Sequence, residues 1–304
     1  MKKIISLFII IGFFVIMLIF PRQTFEGASN GLLLWFQIVL PTLLPFIILS
    51  NLLIHTNAVT YISIFVKPFM QRLFRVSDYG CYAVFVGFLC GYPMGAKVVA
   101  DLIQTEKISG KEGQYLLSFC NNTSPMFIIS FIVMQNFKNE SLLLSTLVIL
   151  YLAPVICSLL FRRFYKCQTR TNTLPTSENS FHFNFQIFDT CIMNGFETIT
   201  KVGGYIILFS ILFALSKQLP LMWFLPSLEI SCGVSYITNL GIPLSKVYPY
   251  VLALTSFGGF CAIAQTNSMI QESKLSILPY IIQKLITALV TSLLAMIYIQ
   301  FIHQ

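Results

Sequence analysis

Apolar residues run almost unbroken over 4–20, 31–54, 79–102, 115–137, 141–161, 202–219, 221–244, 247–270 and 276–302. At 1.5 Å of rise per residue, a helix of about 20 residues crosses a hydrocarbon layer about 30 Å thick, so most of these runs read as membrane-crossing helices. Two polar stretches interrupt the series. In 61–78, Lys67, Arg72 and Arg75 interleave with Phe65, Phe69, Leu73 and Phe74, the pattern of an amphipathic helix lying at a membrane surface. The stretch 162–186 opens with Arg162, Arg163, Lys166 and Arg170 and continues rich in Thr, Asn and Ser, which predicts a linker between two halves.

Four of the runs cannot be straight helices. Run 79–102 is broken by Gly91-Tyr92-Pro93-Met94-Gly95, and each arm of about ten residues rises about 15 Å, half the hydrocarbon thickness. That predicts a re-entrant hairpin. Run 221–244 has the same form, with arms flanking Glu229-Ile230-Ser231-Cys232-Gly233. Run 115–137 carries Asn121-Asn122-Thr123-Ser124-Pro125 at its middle, and run 247–270 carries Ser256-Phe257-Gly258-Gly259, with Gln265 further on. Unwound backbone inside a bilayer is tolerated only where it is packed in protein or lines a wet cavity. Four breaks at one depth predict a site between the halves.

Charge sets the sides. Lys2 and Lys3, the cluster Lys67 to Arg75, and the cluster Arg162 to Arg170 all belong inside by the positive-inside rule, which puts the N-terminus in the cytoplasm. Three apolar runs separate the last two clusters, an odd number of crossings. The conflict vanishes if 79–102 enters and leaves on one face, and Lys107 and Lys111 then fall inside as well. Each half reads span, hairpin, broken span, span, the first starting outside and the second inside, an inverted-topology repeat. The fold expected is all-α, a polytopic membrane protein with inverted repeats, two re-entrant helical hairpins and two broken transmembrane helices. Its parts are an uncleaved N-terminal transmembrane helix and outer loop over 1–30, a first repeat over 31–161, a cytoplasmic linker over 162–186 and a second repeat over 187–304.

Composition agrees. Of 304 residues, 56% are hydrophobic and 10% charged, against about 25% charged in a soluble domain; the mean hydropathy is +0.80. That argues against a cytosolic enzyme, a nucleic-acid partner and a secreted disulfide scaffold, and makes the lipid bilayer the first partner. The net charge of +8 sits at the ends of apolar runs and reads as a topology signal. The eight cysteines lie mostly inside apolar runs without a CxxC pair, as small apolar residues do. With no HExxH, GxSxG or P-loop motif, the expectation is no enzyme, no metal and no cofactor beyond a coupling proton or sodium ion.

Candidate binding residues follow from the breaks. Lys97 stands just past the first hairpin tip, where a lysine is costly unless it is paired, contacts a substrate or snorkels to the inner face. Glu229 is an intramembrane carboxylate that could bind a proton or cation, hydrogen-bond a substrate, or simply be satisfied by hairpin amides. Asn121, Asn122, Thr123 and Ser124 offer amide and hydroxyl groups beside freed carbonyls. Gly91, Tyr92 and Pro93 form the hairpin tip, Ser231 follows Glu229, and Ser256, Gly258, Gly259 and Gln265 surround the last break. Glu197 and Lys201, four apart, read as a structural ion pair.

The stretch Gly87-Phe88-Leu89-Cys90-Gly91-Tyr92-Pro93-Met94-Gly95-Ala96-Lys97 resembles the SGYPxGAK motif of the YlbJ family of sporulation integral membrane proteins. Ser118-Phe119-Cys120-Asn121-Asn122-Thr123-Ser124-Pro125-Met126-Phe127 is similar to that family's SFxNxSxPxF segment, and the segments Gly203 to Phe209, Leu228 to Gly233 and Ser256 to Gln265 match in order and spacing. The resemblance covers about 30–300. It implies a nucleoside-recognition or Gate domain, distantly related to concentrative nucleoside transporters, in which two hairpins and two broken helices surround the substrate. It further implies transport of a small anionic solute, dipicolinic acid, from the mother cell across the outer forespore membrane. Cys90 stands where the family has Ser, and the loops are short, which leaves open another solute such as a nucleoside or other small metabolite. A non-transporting sporulation membrane protein is the remaining alternative. For a dianion, Lys97 and helix amino ends are the expected contacts.

Overall fold

The computed structural model describes residues 2–56, 58–165, 184–217, 219–220 and 222–302. Among them the regular elements are helices. Six are long and apolar enough to cross a membrane: Pro21–His55, Gly110–Phe137, Glu140–Tyr165, Phe185–Ser216, Leu244–Ser273 and Ile277–Phe301. The chain opens with α1 (Lys2–Ile19). Next is α2 (Pro21–His55), continuous through a π-helical turn at Trp35–Val39. The stretch 21–30, expected as an outer loop, is therefore helical: Pro21 sits at the first helical position, where its fixed φ and missing N–H fit the start of a helix.

The amphipathic helix α3 (Val59–Phe74) ends where Arg75 turns left-handed, and its last part meets α4 (Asp78–Cys90) at 94°. Ser77 caps α4 by accepting from Gly80 N at 3.1 Å, while Lys67 Nζ and Gln71 Nε2 both donate to Asp78, at 2.9 and 2.6 Å. After Gly91-Tyr92-Pro93 the chain runs back as α5 (Met94–Gln104), packed on α4, so the first hairpin has the form its sequence predicted. Then come α6 (Gly110–Cys120), an irregular break, α7 (125–137, largely π-helical) and α8 (Leu143–Tyr165). Most of the expected linker, 166–183, lies outside the described residues.

The second half starts earlier than its apolar run. Helix α9 (Phe185–Ser216) is 32 residues long and carries the ion pair Lys201–Glu197 at 2.7 Å. The second hairpin differs from its expected shape. Its first arm holds only a single 3-10 turn at Leu225–Ser227, and its helix, α10 (Ile230–Thr238), begins directly after Glu229. Pro220 and Pro226 explain this, since each removes a donor and blocks a helix passing through it. Then follow α11 (Leu244–Phe257), α12 (Gly259–Ile270) and α13 (Ile277–Ile302). Helix α9 packs along α2, α11 along α13, and the hairpin arm α5 against α12, so each hairpin and break is held between elements of both halves.

The loops gather at two ends. At one, Gln104 Nε2 donates to Glu272 at 3.3 Å, Gln114 bonds both O and N of Ser276, and Ser77 N donates to Glu112 at 2.6 Å. At the other, Lys217 pairs with Glu26 at 3.4 Å and Thr238 Oγ1 donates to Asn136 at 3.2 Å.

Candidate functional site

The four irregular points meet inside the molecule. Gly91, at φ +82, lies so close to Ser124 that an added Cβ would stand 2.7 Å from Ser124 N, which seats the first hairpin tip on the first break. A Cβ on Gly258 would stand 3.5 Å from the Tyr92 ring, so the same tip also touches the second break. Thr123 Oγ1 donates to Thr255 O at 2.9 Å, joining the two breaks, and Cys261 N donates to Leu228 O at 3.0 Å, joining the second hairpin to α12.

Between them is a cavity lined by Gly91, Tyr92, Thr123, Ser124, Glu229, Ser231, Gly258 and Gln265, with apolar walls from α2, α7 and α9. It offers about 50 Å³ to the centres of water molecules, where a single water needs roughly 10–15 Å³. That is room for a few waters and too little for a ring-sized solute, for which the cavity must widen. A larger vestibule of about 620 Å³ on the same measure lies beside it, lined by Asn30, Gln37, Gln135, Ser235 and Asn239, and shares Ser231 with it. The two π-helical stretches, 35–39 and 128–137, contribute Gln37 and Gln135 to the vestibule, while Val39 lines the cavity.

Glu229 is the one carboxylate on the cavity wall, which carries no lysine, arginine or histidine, and it is 2% exposed. Its carboxylate accepts from Cys232 N at 2.7 Å, capping α10. Ser124 caps α7 by accepting from Phe127 N at 3.3 Å. Four helices, α5, α7, α10 and α12, begin at the cavity, and each brings the positive end of its dipole.

The remaining expected residues sit around the cavity rather than on its wall. Lys97 pairs with Asp101 at 3.1 Å, one turn along α5. Asn121 ties the fold together: its Nδ2 donates to Thr266 and Tyr280 at 2.8 and 2.9 Å, and its Oδ1 accepts from Ala96 N at 3.3 Å. Asn122 donates to Phe119 O. Pro93 stands at the start of α5, Gly259 lies against Ser227, and Ser256 Oγ is buried with no hydrogen-bond partner among the described residues. Lys284 escaped the sequence reading. It is buried two turns into α13 and donates to Asn121 O at 3.0 Å. A lysine interrupting the apolar run 276–302 was the signal that could have found it.

No protein-family model and no solved structure matches the chain. It is similar to the sporulation integral membrane protein YlbJ of Bacillus subtilis (strain 168), 27% identical over 317 residues, which covers 91% of this chain and 78% of the relative.

Proposed function

We propose that this chain, a sporulation membrane protein of the YlbJ family by a likeness along nearly its whole length, is a transporter whose solute passes through the cavity between the four breaks. The observation that carries the reading is the convergence of two hairpin turns and two helix breaks on one cavity beside a polar vestibule. Unwound backbone inside a bilayer is tolerated where it is packed in protein or lines a wet cavity, and breaks of this kind form the solute site in many secondary transporters.

The solute favoured is a small planar carboxylate, dipicolinate, moved across the outer forespore membrane. Four helix amino ends at the cavity favour negative charge. Lys97, held by Asp101, contributes less than its position in the sequence promised. Glu229 opposes an anion, so the solute enters with that carboxyl protonated or with a cation beside it. Binding of solute and loss of the Glu229 charge are thereby linked, which is the basis of a coupled transporter. A nucleoside is the second reading: the wall has no lysine, arginine or histidine, and Thr123, Glu229 and Gln265 suit a neutral polar ring.

Thermal unfolding of the purified chain with dipicolinate or uridine tests the choice. Ligand confined to the folded state stabilises it by about 2.7 kcal/mol at 100 times the dissociation constant. Dipicolinate should raise the unfolding temperature and uridine should not. A rise with uridine alone would favour the nucleoside, and no rise with either would remove both solutes.

A further inference from the structure

Lys284 is 2% exposed in the first third of α13, and no ion pair joins it to a carboxylate among the described residues. Its Nζ donates instead to the main-chain oxygen of Asn121 at 3.0 Å and the side-chain oxygen of Asn122 at 3.4 Å. Both oxygens belong to the first break, directly past the carboxyl end of α6. A helix end strands its last four carbonyls and carries about half a negative charge. In a hydrocarbon layer that end needs a donor or a cation.

The second break meets the same need differently. Gly258, at φ +85, folds its own N–H back onto Leu254 O at 2.9 Å, and Thr123 supplies a hydroxyl to Thr255 O. No lysine or arginine bonds that break among the described residues. One half closes its helix end with a left-handed glycine, and the other closes it with a lysine delivered from another helix. Where broken helices line a transport site, such carbonyl ends coordinate coupling cations.

We propose that Lys284 is a resident cation, its side-chain nitrogen filling at the first break the place a small monovalent cation would otherwise take. Truncating the side chain then uncovers a cation site lined by Asn121 O and Asn122 Oδ1. The further consequence, that no sodium travels at this break, rests on the transporter reading above; the occupancy does not.

The experiment compares wild type, Lys284→Ala and Lys284→Met as purified full chains. Each is unfolded thermally in choline chloride, sodium chloride and ethylammonium chloride at equal ionic strength. Lys284→Ala should unfold several degrees below wild type in choline chloride and regain most of that loss in sodium or ethylammonium. Wild type should show no such difference between salts beyond what Lys284→Met shows. Lys284→Met fills the space without a donor, so it should remain low in all three. Equal stability of Lys284→Met and wild type would overturn the proposal, as would a response of Lys284→Ala to the three salts no larger than that of wild type. If Lys284→Ala does not fold, Lys284→Ser, which also leaves the space open, replaces it with the same two readings. No solute enters the measurement, so its failure and a failure to bind dipicolinate are told apart.

Discussion

Glu229 holds two roles on one carboxylate. It caps α10 through Cys232 N and it faces the cavity. Glu229→Gln separates them, because a glutamine oxygen can still accept from that amide while the charge is gone. The expected outcome is an unfolding temperature near wild type and dipicolinate uptake into proteoliposomes that has lost its dependence on pH or sodium. Uptake with both dependences unchanged would remove Glu229 from coupling. The hairpin glycines make a second residue-scale test. A Cβ on Gly95 would stand 2.2 Å from Cys120 O, a backbone atom that cannot step aside, and one on Gly87 would stand 1.9 Å away. Gly95→Ala should therefore cost about 1–3 kcal/mol in denaturant or thermal unfolding. Gly204→Ala, in open space within α9, should instead stabilise by about 0.5–1 kcal/mol. At this scale the sequence showed which residues are unusual in a membrane but not what they touch. Lys97 and Lys284 look alike as lone lysines in apolar runs. One finds Asp101 on its own helix, and the other finds Asn121 from 163 residues away. A partner at i,i+4 is visible in a sequence; a partner across the fold is not.

Among the elements, breaks were more legible than arms. Asn-Asn-Thr-Ser-Pro and Ser-Phe-Gly-Gly each interrupt an apolar run with residues that cap, turn or stop a helix, and both breaks stand where those residues put them. The apolar content of the second hairpin predicts two helical arms, but its prolines leave the first arm, among the described residues, a single 3-10 turn. The stretch 21–30 shows the opposite: it is polar, yet Pro21 opens a helix there. Gly258 shows what a break requires of one residue. It ends α11 at φ +85 and precedes α12 without an intervening loop. Gly258→Ala should cost about 1–2 kcal/mol for the left-handed backbone alone, with a further clash of the new Cβ at 3.1 Å from the Ala262 methyl. Its expected mark is a lower unfolding temperature together with weakened solute binding, since the Tyr92 ring packs at this point. Full binding in a protein destabilised by that amount would separate the break from the solute site.

The whole molecule has one face richer in basic groups, and that polarity gives the last prediction. At one end Gln104 and Gln114, which flank the loop 105–109, bond to Glu272 and Ser276, with Lys107, Lys111 and Lys274 in or beside these segments and the amphipathic helix bonded to Arg162. The vestibule opens among the elements of the other end, with Lys217 and Asn239 on its wall and Glu26 paired to Lys217. The positive-inside rule predicts that the first end faces the cytoplasm; in that orientation the vestibule, which reaches Ser231, opens toward the opposite side. Gly110→Cys and Asn239→Cys test this, because both positions are exposed and at opposite ends. In right-side-out vesicles an impermeant maleimide should label Asn239→Cys at once and Gly110→Cys only after the membrane is opened. Solute that closes the cavity should slow labelling of Ser235→Cys, on the vestibule wall, while leaving Asn239→Cys, at its mouth, nearly unchanged. The reverse pattern of sidedness would turn the molecule over in the membrane and make the vestibule an inner entrance.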